Sequence, residues 1–303
     1  MKITLKPASP FDFDLSARIF SDGDEQIRRY EDGKFWQVIR INNKLISIVI
    51  KSLGAVDKPK LLVELKSNKE LSNDDKKKVE EVIYSLFNLK TNLNPFYEEV
   101  KNDKIMSKLI LALRGLKSPT TSTVFEALID SIIEQQISLN VAHSIERKVI
   151  KSFGEILKLN DKVYYSFPTP EKLASATIKQ LRKCGLSLKK AEYNRDISKL
   201  VSDGKLDLDK FKNYEDIKAI TNELDKIRGI GVWTAELTMV RGMQKFEAMP
   251  ADDLGIRRRI SHYYCNDRKI SSEEARRIAE KWGRWKGLAS FYLIMARKLG
   301  IKT

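Results

Sequence analysis

The chain has 303 residues, 42% hydrophobic and 32% charged, which excludes a disordered chain and allows one large folded domain or two ordinary ones. Lys and Arg outnumber Asp and Glu by 56 to 41, and the net charge of +15 points to a polyanionic partner, although a lysine-rich surface serving solubility has the same signature. Two cysteines without CxxC spacing and two histidines exclude a disulfide framework, an iron–sulfur cluster and any legible metal site, so no cofactor is expected.

The first third reads as strand. Lys34–Ile41 and Lys44–Ile50 are β-branched and aromatic runs, and Asn42-Asn43 between them is a two-residue hairpin signal. Lys60–Leu65 is a further strand. Asn73-Asp74 opens a helix with Val79, Val82, Ile83, Leu86 and Phe87 on one apolar stripe. Beyond residue 97 the pattern is helical throughout, with helices expected near 103–114, 122–136, 139–152, 170–174, 177–183, 188–201, 214–220, 224–228, 232–241, 253–264, 272–281 and 286–299. Strands followed by helices predict an α+β protein: an antiparallel sheet domain with a helix over 1–97, then a mostly helical domain over 98–303. The chain shows no run of about eighteen apolar residues and no apolar core of a signal peptide in its opening MKITLKPASPFDFDL, so a cytoplasmic protein is expected. Abundant Lys, Ile and Glu with scarce Gln lean toward a thermophile, or toward an AT-rich genome.

Residues 224–241, LDKIRGIGVWTAELTMVR, read as a helix, a tight Gly229-Ile230-Gly231 turn and a second helix. Two glycines permit positive φ and clear side chains from the turn, so the amides of the new helix face an anion such as a phosphate. Leu224, Ile227, Ile230, Ala235 and Leu237 are the residues expected to lock the two helices together. Downstream comes Met249-Pro250-Ala251-Asp252-Asp253-Leu254, with arginines at 257, 258 and 259. An Asp pair opening a helix is by itself a cap. Its position just after a phosphate-gripping hairpin marks it as something more.

Hairpin, spacer and Asp before a helix resemble the helix-hairpin-helix (HhH-GPD) DNA glycosylase superfamily. Within it the chain most resembles the 3-methyladenine DNA glycosylase II family, its alkylation-repair branch. Three further stretches carry the resemblance: FEALIDSIIEQQIS (Phe125–Ser138), FPTPEKLASATIKQLRKCGLSLKKA (Phe167–Ala191) and AEKWGRWKGLA from Ala279. It covers about residues 97–300 and is fainter over 1–96. The resemblance implies a two-lobed helical glycosylase body with Asp253 as the catalytic carboxylate and Asp252 as a cap. It places Gly229, Ile230, Gly231, Trp233 and Thr234 on the DNA backbone, Ile137 with Gln136 as the wedge that fills the gap left by a flipped nucleotide, and Trp233 and Tyr292 in the base pocket. For Ile137 an ordinary place in the core is the alternative, and for Trp233 simple packing between helices.

The activity implied is flipping of a damaged, alkylated purine out of double-stranded DNA and hydrolysis of its N-glycosidic bond, with Asp253 facing the positive charge that develops on the sugar. Where lyase-active relatives carry a lysine that forms a Schiff base, this chain has Trp233, so an abasic site is the expected end product. The family's stacking tryptophan in the last helix aligns with Ile294, beside Tyr292, which leaves the substrate range open. A glycosylase for oxidised, deaminated or mismatched bases and a non-catalytic DNA-binding module are the alternatives. The expected partner is DNA with damaged bases, bound by a monomer without membrane involvement.

Overall fold

The structure is a computed structural model that describes residues 1–301. Its first unit is a five-stranded antiparallel sheet in the order β1-β5-β4-β3-β2, from Lys2–Leu5 (β1), Arg28–Glu31 (β2), Lys34–Ile41 (β3), Lys44–Ser52 (β4) and Leu61–Lys66 (β5). The β3–β4 turn forms where expected. Asn42 and Asn43 both take positive φ, 47° and 60°, the geometry whose twist matches the flanking strands. Helix α1 (Phe13–Ala17) and helix α2 (Asn73–Leu86) flank the sheet. Ser72 and Asp75 form a capping box on α2, and Asp75 also accepts from Lys44 Nζ at 2.6 Å and Asn42 Nδ2 at 3.0 Å. The helix is thereby fixed to the hairpin turn, and its stripe of Val79, Ile83 and Leu86 is buried against Phe35, Ile46, Ile48 and Ile50.

The helical body follows as α3 (Asn94–Val100), α4 (Met106–Ala112), α5 (Val124–Glu134), α6 (Leu139–Phe153), a small hairpin β6 (Ile156–Leu159) and β7 (Lys162–Tyr165), α7 (Pro170–Ala174), α8 (Ile178–Lys183), α9 (Leu188–Ser202), α10 (Ile217–Asp225), α11 (Val232–Met243), α12 (Leu254–Tyr264), α13 (Ser272–Ala279) and α14 (Lys286–Lys298). Three differences from expectation have local causes. The helices expected at 214–220 and 224–228 are one helix, α10, capped by Asp216. The helix expected at 103–114 is shortened to α4, because Asp103 accepts from the amides of Ile105 and Met106 and starts it late. The β6–β7 hairpin was not foreseen; it turns on Asn160 and Asp161, again with positive φ at both.

The body has two cores. One gathers side chains from α5 to α11, with Leu128, Ile132, Ile197, Leu224 and Ile230 among them. The other gathers α3, α4, α12 and α14 around the buried Phe96, Trp282 and Tyr292. The chain therefore leaves the second lobe after α4, builds the first, and crosses back after α11. Arg28 on β2 pins the sheet to the first lobe by pairing with Glu126 at 3.0 Å and Glu146 at 3.4 Å.

Lys117 sits at the seam between sheet and helices, 1% exposed, donating to the carbonyls of Ala8 at 2.8 Å and Leu89 at 3.3 Å. Burial pulls its pKa down to about 8. Between pH 8 and the free value of 10.5 the unfolded chain holds a proton that the folded chain has released, so stability rises with pH there. Relative to a Lys117→Met variant, the wild type is expected to gain roughly 2–3 kcal/mol across this window in denaturant unfolding. A difference that stays flat with pH would refute it.

Candidate active site

The turn between α10 and α11 uses its two glycines differently. Gly229 has φ +97°, and a Cβ there would lie 2.4 Å from the Tyr193 ring. Only glycine fits, on both counts. Gly231 has φ −102°, open to any residue, and among the described residues no packed neighbour comes within 4 Å of where its Cβ would be. Positive φ, expected at both glycines, is thus needed only at the first; the second leaves open space. Among the described residues no side chain caps α11, and Gly231 and Val232 are exposed, so the start of a twelve-residue helix is left open. Leu224, Ile227, Ile230 and Ala235 lock the hairpin into the first core as expected. Leu237 belongs to neither core, although it is buried.

Beside this turn lies the loop after α5. The Gln135 amide donates to the Gly229 carbonyl and to Thr234 Oγ1, both at 2.9 Å. The buried Thr234 hydroxyl is therefore committed to Gln135. Lys190 closes the end of α5 by donating to the carbonyls of Ile133 and Gln135. On this braced base Gln136 adopts φ +56° and is exposed, and Ile137, 37% exposed, is no core residue. Leu139 and Val141 extend the exposed apolar surface along the start of α6.

Asp253 opens α12 as the chain re-enters the second lobe. Its Oδ1 accepts from the Ile256 amide at 2.9 Å and its Oδ2 from the Trp233 indole N–H at 3.3 Å. The cap is thus Asp253 itself, not Asp252 as the resemblance suggested. Asp252 is exposed and lies 3.6 Å from Arg276. Arg276 on α13 forks onto Glu236 of α11 at 2.7 and 2.9 Å and donates to the Met249 carbonyl at 3.2 Å. Burial raises the pKa of Glu236 against the pull of Arg276. One guanidinium thus binds the hairpin helix, α13 and the segment that delivers Asp253.

Trp233, Leu237 and Arg241 follow each other at four-residue spacing on one face of α11. Arg241 Nη1 donates to Glu134, the last residue of α5, and its side chain is 34% exposed. The charges of Glu134, Asp130 and Asp253 outweigh burial and hold it protonated. Asp130 is 7% exposed, its Oδ1 has no partner among the described residues, and burial with the nearby Glu146 and Glu126 carboxylates pushes its pKa well above the usual range.

Tyr292 is corrected. It is fully buried against the Phe96 ring and donates to the Leu116 carbonyl at 2.9 Å, so it cannot stack on a base. Ile294, two residues on, is the exposed position of that stretch. Trp282 donates to Asp103 from the core and Trp285 stacks on Phe246, which leaves Trp233 as the tryptophan beside Asp253. Gln135, Glu236, Arg276, Glu134 and Arg241 were not foreseen at this site. Gln135 stood next to the foreseen Gln136, but the others lack any local signal.

Residues 129–284 match the model of the HhH-GPD superfamily of base excision DNA repair proteins. A relative in Bacillus subtilis, a DNA-3-methyladenine glycosylase, is 29% identical over 287 residues, 93% of either chain. DNA-3-methyladenine glycosylase 2 of Escherichia coli is 29% identical over 189 residues, 62% of this chain and 63% of that one. Among solved structures, the 3-methyladenine DNA-glycosylase from Archaeoglobus fulgidus superposes over 99% of both chains with a TM-score of 0.84 at 28% identity.

An Arg276→Met variant leaves the Glu236 carboxylate buried without its partner. Because the guanidinium is partly exposed, the expected loss is about 2–3 kcal/mol, read from the denaturant midpoint, with part recovered in Glu236→Gln/Arg276→Met. An unchanged midpoint would show that the fork braces nothing.

Proposed function

The chain belongs to the HhH-GPD superfamily of base excision DNA repair proteins, and on that footing we propose that it is a monofunctional DNA glycosylase that removes alkylated purines from double-stranded DNA. One observation carries this reading: the Asp253 carboxylate, oriented by two N–H donors, lies beside an uncapped helix N-terminus and a braced loop with exposed apolar side chains. Relatives named as 3-methyladenine glycosylases supply the alkylated-base class.

In this mechanism the amides of Gly231, Val232 and Trp233 at the open start of α11 hold a backbone phosphate of the bound strand, the Ile230 amide being spent on the Ile227 carbonyl within the turn. Gln136 and Ile137 enter the duplex where the damaged nucleotide leaves it; exposed apolar surface there is compensated by stacking against bases. The flipped sugar faces Asp253. As the glycosidic bond breaks, positive charge grows on the deoxyribose, and a carboxylate already in place stabilises it without reorganising. A cationic alkylated base leaves as a neutral molecule and needs no acid. Helix α11 carries no lysine, so no amine is placed there to form a Schiff base, and the product is an intact strand with an abasic site. The protein acts as a monomer, since one pocket serves one duplex.

Asp253→Asn keeps a cap for α12 but removes the charge. It is expected to lower release of methylated purines at least about a hundredfold with DNA affinity retained. The wild-type product should be cut only after alkali. Strand scission at neutral pH, trapped by borohydride, would overturn the monofunctional assignment. Salt-dependent binding without any base release would leave a DNA-anchoring module.

A further inference from the structure

We propose that Arg241, anchored by Glu134, donates a hydrogen bond to the flipped base and thereby extends the reaction to neutral purines; this rests on the glycosylase reading above.

Arg241 lies two turns beyond Trp233 on the same face of α11, with only Leu237 between them. Helix side chains lean toward the N-terminus, so its long stem runs back along that face toward Trp233 and Asp253. Its contact with Glu134, the residue before Gln135 and the exposed loop, fixes where the guanidinium ends. The group is therefore held between the hairpin helix and the end of α5, near enough to Asp253 for that charge to act on the guanidinium.

Its bonding is incomplete in an informative way. Arg276 engages Glu236 through both arms of its fork. Arg241 uses Nη1 alone; its Nε and Nη2 have no protein partner among the described residues, yet the side chain stays one-third exposed. An ion pair serving only to join α5 to α11 has no need of free donors at an open face. Glu134, 10% exposed, reads as the anchor that holds them in place.

The chemistry gives those donors a task. When the glycosidic bond breaks, its electron pair passes to the base and a water oxygen bonds to C1′; the water proton is lost to solvent when the base was cationic and ends on the base nitrogen when it was neutral. A base that is cationic through alkylation receives the pair and becomes neutral. A neutral purine becomes an anion until that proton arrives, and leaves slowly unless a donor takes up the charge. A guanidinium N–H aimed at a carbonyl or ring nitrogen of the base does so, and such a charge-assisted bond is a strong one.

Single-turnover release is measured from matched duplexes holding one deoxyinosine or one 7-methylguanine. The proteins are wild type, Arg241→Gln, and Glu134→Gln/Arg241→Gln, in which no carboxylate is left buried alone. Expected is an about ten- to hundredfold fall in hypoxanthine release in both variants, at least about tenfold larger than the accompanying fall in 7-methylguanine release. Equal falls on both lesions would show bracing only and overturn the inference. So would rates unchanged on both, or a wild type that releases 7-methylguanine but no hypoxanthine. A wild type that releases neither overturns the glycosylase reading itself.

Discussion

The carboxylate of Asp253 is a helix cap first, and the site depends on that. One oxygen satisfies an orphan amide of α12 and the other takes the Trp233 indole N–H, so neither rotation of the side chain nor a slip of the helix is free. In the proposed mechanism the carboxylate faces a developing cation and must be aimed before the charge appears. Here the aiming is done by bonds that the fold needs anyway. The Arg276 fork serves the same end at one remove, because it fixes the Met249 carbonyl and α11, the two sides between which Asp253 is suspended.

The hairpin and the loop after α5 form one rigid piece. Gln135 ties the loop to the carbonyl of Gly229, and Gly229 presses so closely on Tyr193 that no side chain fits. Lys190 gives up solvent to cap α5, and its pKa is lowered by that burial. The surface proposed to meet a phosphate and the surface proposed to enter the duplex are thereby held at a set distance. Positioning of this kind supplies catalysis without adding chemistry.

Helix α5 links the site to the sheet. Glu126, Asp130 and Glu134 repeat at four-residue spacing along one face. Arg28 from β2 meets the first of them and Arg241 from α11 meets the last. Burial and the Glu146 and Glu126 carboxylates push the pKa of Asp130 between them upward, against the pull of Arg28. The sheet thus bears on α5 through charge, although its own apolar core is separate.

Much of this was present in the residues. The β3–β4 hairpin followed from Asn42-Asn43, the α2 stripe from its period, and the hairpin turn and Asp253 from local patterns whose chemistry acts within a few residues. The β6–β7 hairpin offered the same signal in Asn160-Asp161, on strands too short to stand out from the helices around them. The rest lay outside local reach. That Tyr292 is buried, that Asp253 rather than Asp252 is the cap, and that Arg276 and Arg241 bond to residues 40 and 107 positions away depend on how two lobes close on the segment that crosses between them. Sequence alone determines which side chains can do the chemistry; their exposure, partners and direction come from packing between segments distant in the chain, and no local pattern carries that information.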